Sequence, residues 1–328
     1  MKKNLLFIFA LIAALFIGVV YGIGFYRYQL FPYSQLQAAY HSYQERTGAA
    51  DGPWSIGVYE GETPFELTDP QTIVNPVLTA DDVTDIDAKF VADPFLMIED
   101  NHYTMFFEVL DRSSDKGVIA YAESQDGLTW EYKNVILDEP FHLSYPYVFK
   151  WEDEYYLVPE SYEDLSVKLY RAVSYPDKWE AADTLLTGYR FIDPSIFRHD
   201  EKWWLFVTTL EGDTLNLYYA EDLFGTWTAH PQNPLIKLDK NISRPAGRVL
   251  EFDNKLFRLT QDGDPSYGLQ VFAFEITELS KDVYTEELVS EEPLVAMSGE
   301  GWNAAGMHHV DAHQLNDKWI AAVDGRSR

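Results

Sequence analysis

A unit of about fifty residues recurs five times between residue 93 and residue 328, and this periodicity limits the chain to a handful of architectures. Each copy opens on a polar residue, usually followed by proline, and runs through a short apolar strand. It turns at an acidic pair and climbs an aromatic strand to a second polar residue. The openings are Asp93-Pro94, Tyr145-Pro146, Asp193-Pro194, Arg244-Pro245 and His309-Val310; the matching ends are Glu108, Glu160, Thr208, Gln261 and Asp324. The turns fall at Asp100-Asn101, Asp153-Glu154, Asp200-Glu201, Asp253-Asn254 and Asn316-Asp317. From opening to end the offset is 15, 15, 15, 17 and 15 residues, and successive openings step by 52, 48, 51 and 65.

After each of the first four hairpins comes a third strand and then an aromatic: Tyr121 with Trp130, Tyr170 with Trp179, Tyr218 with Trp227, and Phe272 with Tyr284. Four-stranded units repeated radially are propeller blades, so the pattern predicts an all-β, five-bladed β-propeller. The fifth unit ends after two strands at Arg328. The missing pair is supplied by Trp54 to Tyr59 and roughly residues 65–79, which would close the ring and remove two open edges. The long fourth step carries an acidic stretch over 275–305, expected as a loop over one face. Ser124-Gln125-Asp126-Gly127-Leu128-Thr129-Trp130 reads as a structural turn between outer strands.

Composition fits this reading and removes others. Aromatic residues make up 16% of the chain, which favours sheet over helical bundle. A net charge of −28 repels phosphate backbones, so no nucleic-acid partner is expected. The absence of cysteine excludes thiolate nucleophiles, zinc–thiolate sites and iron–sulfur clusters.

Residues 1–50 are a different material. Met1-Lys2-Lys3 precedes an uncharged run from Leu5 to Ile23, about 28 Å long as a helix and close to the hydrocarbon thickness of a bilayer. No small-residue cleavage site follows it, so it reads as a retained anchor over 5–25. Residues 1–4 are expected as a cytoplasmic tip, 26–50 as a stalk, and 51–328 as the propeller on the extracytoplasmic side.

In a propeller the first strand of each blade lines the axis and the second returns beside it. The repeat therefore brings Asp93, Glu108, Tyr145, Glu160, Asp193, Thr208, Arg244, Gln261, Asp262, His309 and Asp324 to one mouth, with His308 adjacent. Glu108 and Glu160 end strongly apolar strands, where an unpaired charge is expensive. Each therefore either pairs with a cation such as Arg244 or stays protonated and serves as an acid. His309, Asp311 and His313 alternate onto one strand face and could take a divalent ion or equally line a sugar pocket; no metal or other cofactor is expected.

The opening motifs around Asp93 and Asp193, with the Ser-Gln-Asp-Gly-Leu-Thr-Trp turn, resemble five-bladed propellers of glycoside hydrolase family 43. More specifically, the strings Glu139 to Pro146, Val158-Pro159-Glu160-Ser161, Asp193 to Phe197, Trp203 to Phe206 and Arg244 to Gly247, with the closing His cluster, resemble the N-terminal domain of plant glucosamine inositolphosphorylceramide transferases. The likeness spans roughly residues 54–328. Family 43 enzymes are inverting, with an Asp base, a second orienting Asp and a Glu acid. The resemblance implies Asp93 as base and Glu160 as acid, with Asp193 or Glu108 orienting. It departs at the second blade, which opens on Tyr145 where the family has its orienting Asp. Inversion would need the two carboxyls about 6.5–9.5 Å apart.

These readings converge on a membrane-anchored, carbohydrate-active propeller acting on a surface or envelope glycan, with Tyr145, Arg244, Gln261, Asp262, His308, His309 and Asp324 in contact with the sugar. The competing expectation is a non-catalytic glycan-binding or scaffold propeller that works with a protein partner in polysaccharide or glycolipid assembly.

Overall fold

The computed structural model describes residues 52–328. The expected anchor at 5–25, the tip before it and the stalk at 26–50 lie outside the described residues.

The described chain forms five antiparallel sheets arranged as a five-bladed propeller. The first blade is Ala88–Glu99, His102–Asp111, Lys116–Ser124 and Glu131–Leu137. The second is Ser144–Trp151, Glu154–Glu160, Ser166–Ser174 and Lys178–Thr187. In the third, Phe191–His199, Lys202–Thr209 and Thr214–Ala220 are followed by two short outer pieces, Thr228–Ala229 and Ile236–Lys237. The fourth has a broken inner strand, Arg244–Pro245 and Leu250–Phe252, both pieces pairing with Lys255–Gln261. The fifth joins Val310–Leu315 and Lys318–Arg326 to the N-terminal strand Trp54–Gly61, which runs antiparallel from Trp54 opposite Arg326 to Gly61 opposite Trp319.

Two local devices recur and follow from the sequence. The hairpin joining the first two strands of each blade is a two-residue turn. Its central residues take positive φ in four blades: Asp100 and Asn101, Glu152 and Asp153, Asp200 and Glu201, Asp253 and Asn254. This is the turn whose twist matches that of the flanking strands, and Asp and Asn tolerate it best after glycine. In the second blade the turn lies one residue earlier than the sequence suggests, because Trp151 pairs with Glu154.

The second device is a bulge at the blade openings. Proline has no N–H for the ladder, so the strand must break its pairing there. The register shifts at Ala92/Phe95, Ser144/Tyr147 and Ile192/Ser195, and Asp93, Tyr145 and Asp193 each take a left-handed φ of 53°, 47° and 50°. Three side chains are thereby re-aimed at corresponding places in three blades.

Two expectations are corrected. The acidic stretch after residue 275 is not a loop over a face. Tyr284–Leu288 and Val295–Ala296 pair with Gln270–Leu279 and form the outer edge of the fourth blade. Residues 65–79 do not form a continuous fourth strand. They touch the fifth blade at two bridges, Glu60–Thr68 and Ile56–Leu78, and Asn75 brackets Val58 with bonds to both its N–H and its carbonyl.

A buried acidic mouth

The blade openings and second-strand ends meet around a cavity of about 250 Å³. It is lined by Asp93, Glu108, Glu160, Asp193, Arg244 and His308 from the repeat, and by Trp54, His142, Ser144 and Tyr267 among others. The last four were not anticipated. Ser144 neighbours an anticipated opening residue and Trp54 lies on the strand assigned to the fifth blade. His142 and Tyr267 sit in connecting segments that carry no repeat signal.

The four acidic side chains that line this cavity have different partners. Asp193 is neutralised by Arg244, whose Nε and Nη2 donate to its two oxygens at 2.6 and 2.9 Å. Glu160 receives only the backbone N–H of Asp193 at 2.9 Å. Burial, with the nearby Asp193 charge, pushes its carboxyl up to about 8. Glu108 has no arginine partner among the described residues; His142 Nε2 lies 3.5 Å away. Burial, reinforced by Asp93 and Glu160, holds Glu108 well above the usual carboxylate range. Asp93 accepts the Tyr145 N–H at 3.2 Å and faces His308 Nε2 at 3.7 Å. Burial raises it to about 7, against the pull of His308.

Asp324 ties the fifth blade to the first. One of its oxygens accepts the N–H groups of His308 and His309 at 3.1 and 3.0 Å, and the other accepts that of Asp93 at 3.1 Å. It also lies 2.7 Å from His308 Nδ1. Burial opposes its charge, but His308 outweighs burial and keeps Asp324 below the usual range. Burial likewise opposes a charged His308, yet Asp324 and Asp93 raise the ring above its ordinary value.

The remaining anticipated residues go elsewhere. Tyr145 turns down the axis: its hydroxyl accepts the Gly247 N–H at 2.7 Å and lies 2.7 Å from Ser195 Oγ and 2.9 Å from the Gly247 carbonyl. His309 is fully buried against Phe95 and Tyr145, and its ring nitrogens have no hydrogen-bond partner among the described residues. Burial lowers it to about 4, so the ring is neutral. Gln261 is buried and pairs with Arg244 along the strand, while Asp262 is occupied by Gln270 Nε2 at 2.9 Å; neither lines the cavity.

Of the His309, Asp311, His313 set, Asp311 and His313 meet at 3.0 Å and His309 stands apart. Asp311 is bound to Arg248 at 2.9 Å, to His313 at 3.0 Å and to the Leu96 N–H at 2.6 Å, deeper in the channel. The closest grouping of metal-type donors among the described residues is instead Asp93, His308 and Asp324. Their geometry is that of a row: the imidazole sits between the carboxylates, hydrogen-bonded to Asp324 through Nδ1 and facing Asp93 with Nε2 at 3.7 Å.

Five sheets around an axis, with acidic residues buried at one mouth, define the class: a five-bladed propeller with the architecture of known glycoside hydrolases. The chain superposes on the catalytic domain of a family 62 α-L-arabinofuranosidase from Coprinopsis cinerea with a TM-score of 0.55 and 13% identity, covering 84% of this chain and 97% of that one. For a family 117 glycoside hydrolase from Zobellia galactanivorans the TM-score is 0.50 at 17% identity, over 72% and 84% of the two chains. Within that class the sequence is more specific. Residues 47–326 match the family described as glucosamine inositolphosphorylceramide transferase 1, N-terminal, and the chain belongs to this family. Glucosamine inositolphosphorylceramide transferase 1 of Oryza sativa subsp. japonica is 36% identical over 299 residues, and that of Arabidopsis thaliana 34%. The match covers 84% of this chain and 40% and 39% of those proteins, so it spans about two fifths of their length.

Proposed function

We propose that this chain is a membrane-anchored, carbohydrate-active propeller whose central mouth performs acid/base chemistry on a glycosidic bond. One observation carries the reading. Asp93 and Glu160 share a cavity, neither is neutralised by an arginine, and burial places them at about 7 and about 8. A base must be ionised while its partner acid is still protonated; burial raises both carboxyls toward neutrality, and the facing His308 favours the ionised form of Asp93. Asp93 takes the proton of the attacking water as Glu160 delivers one to the departing sugar oxygen. Glu108 is a second proton store, and the Asp193–Arg244 pair orients the sugar. Trp54 and Tyr267 add the aromatic wall that sugar sites use.

The name of the family's relatives supports a sugar as ligand. The same reading assigns residues 5–25 as the anchor, places the propeller on the extracytoplasmic side, and takes the pairing of Trp54–Gly61 with Lys318–Arg326 as the closure of the ring. No step requires a metal ion.

The test uses the full chain in detergent with its Asp93→Ala and Glu160→Gln variants, incubated with a panel of polysaccharides and the host's envelope glycans. New reducing ends released by the parent and by neither variant are expected. The bidentate Asp193–Arg244 pair favours a second reading, because a cation locked to a carboxylate suits binding better than proton transfer. If all three proteins are inert yet equally retarded by a glycan in affinity electrophoresis, the chain is a binding module of a glycan-assembly system and the catalytic reading fails.

A further inference from the structure

His308 is built into the mouth more rigidly than a sugar-contacting side chain needs to be. Its ring is 4% exposed and stacks on Trp54, with centroids 3.9 Å apart and planes 19° from parallel. Tyr267 meets it edge-on at 5.1 Å. A Cβ on Gly268 would lie 2.9 Å from both His308 Cβ and the Trp54 ring, so the segment carrying Tyr267 packs directly on the pair. Asp324, itself fully buried, fixes Nδ1 at 2.7 Å and the His308 N–H at 3.1 Å. The ring therefore has one orientation, in which Nε2 faces Asp93 Oδ1 at 3.7 Å.

We propose that Asp324 and His308 form a fixed dyad that positions Asp93 and holds it in its proton-accepting, ionised state. This rests on the role given to Asp93 above for its catalytic consequence, though not for its physical effect. The balance is simple. With both ring nitrogens protonated, Nδ1–H donates to Asp324 and Nε2–H points to Asp93, and the imidazolium lies between two carboxylates. No proton needs to leave the dyad during turnover. The other charged groups close to these residues are the Asp193–Arg244 pair, which is internally neutralised, and Glu108, which burial keeps protonated. His309, the next residue, is neutral. The imidazolium of His308 is the cation that faces Asp93 directly, and its pull on Asp93 exceeds the opposing push of the more remote Asp324 charge; an opposite charge at this range lowers a carboxyl by about one to three pH units.

The test separates the dyad from the catalysis. Label the full chain with aspartate carrying ¹³C at the side-chain carboxyl, and follow the protonated carboxyl band by isotope-edited infrared spectroscopy from pH 5 to 10; the Asp93→Asn variant assigns the Asp93 component. In His308→Gln, which keeps a hydrogen-bonding side chain but not the charge, the Asp93 midpoint should rise by about one pH unit or more. An unchanged midpoint overturns the proposal. Should His308→Gln fail to fold, the parent still decides: ¹⁵N-labelled histidine rings must report His308 as doubly protonated at pH 6, and a neutral ring there overturns the proposal. If glycan cleavage is found, its acid limb should shift upward with the infrared midpoint. If the infrared midpoint moves and no glycan is ever cleaved, the dyad stands and the catalytic reading falls.

Discussion

Glu160→Gln should make the propeller more stable at alkaline pH, and the size of the gain follows from the environment of one carboxyl. Glu160 is buried beside Asp193, and its carboxyl accepts the Asp193 N–H, a role that a glutamine carbonyl can fill. In the unfolded chain the group titrates at about 4.5, and in the fold at about 8. The folded state therefore binds the proton more tightly than the unfolded state does. Stability from this group is fully present below pH 4.5 and is lost progressively as pH rises toward 8. At 1.36 kcal/mol per pH unit the full displacement corresponds to roughly 5 kcal/mol. Local relaxation and entry of water reduce this, so about 2–3 kcal/mol is expected. Parent and Glu160→Gln should unfold at the same temperature near pH 4.5. At pH 8.5 the variant should melt about 3–5 °C higher by near-ultraviolet circular dichroism. A gap of the same size at every pH, or a parent more stable at pH 8.5, refutes the claim that burial holds the proton on Glu160.

Three further outcomes probe the frame around the site. Arg244→Met leaves Asp193 buried without its cation and should cost about 3–5 kcal/mol, read by denaturant titration; adding Asp193→Asn should recover most of it. Tyr145→Phe removes the hydroxyl that satisfies the buried Gly247 N–H, a loss of about 1–3 kcal/mol by the same measurement. Gly247→Ala should abolish soluble expression: φ is +136° there, and an added Cβ would lie 1.9 Å from the Val310 carbonyl oxygen, which is backbone and cannot move aside.

The fold was legible because its signal is spread over the whole chain. Every blade repeats an opening, a turn and a polar closing position at nearly constant spacing, so an error in one copy is corrected by the others. The site was legible only where it rides on that repeat. Asp93, Glu108, Glu160, Asp193 and Arg244 reach the cavity because each occupies a repeat position, and His308 because it precedes one. Tyr145 occupies a repeat position as well, yet its side chain runs down the axis to Gly247. Periodicity gives the place of a Cα and not the rotamer that follows from it. Tyr267 and His142 carry no periodic signal; their presence depends on how connections fold back over the mouth. The alternation rule holds for Asp311 and His313, which meet on the strand, but not for His309, because the regular strand begins only at Val310; Arg248 from the fourth blade then neutralises Asp311.

The three bulges connect sequence to chemistry most directly. A left-handed aspartate or tyrosine costs about 1–2 kcal/mol relative to a relaxed strand, and the chain accepts that cost at Asp93, Tyr145 and Asp193. A regular ladder would give each of these residues a paired N–H. In the bulge the N–H is released from the ladder and recruited by an acidic side chain: that of Asp93 by Asp324, that of Tyr145 by Asp93, and that of Asp193 by Glu160. Three blade openings thus each present a backbone donor to a carboxylate of the neighbouring blade, so that all three bonds cross a blade boundary. Such donors favour the ionised form, while burial favours the protonated one. For Glu160 the Arg244 cation and the Asp193 N–H pull against burial, and for Asp93 the pull comes from His308 and Arg244, while the Asp93 N–H favours the ionised form of Asp324. The prolines that force the bulges are therefore part of what sets the protonation of the mouth, although none of them touches a proton.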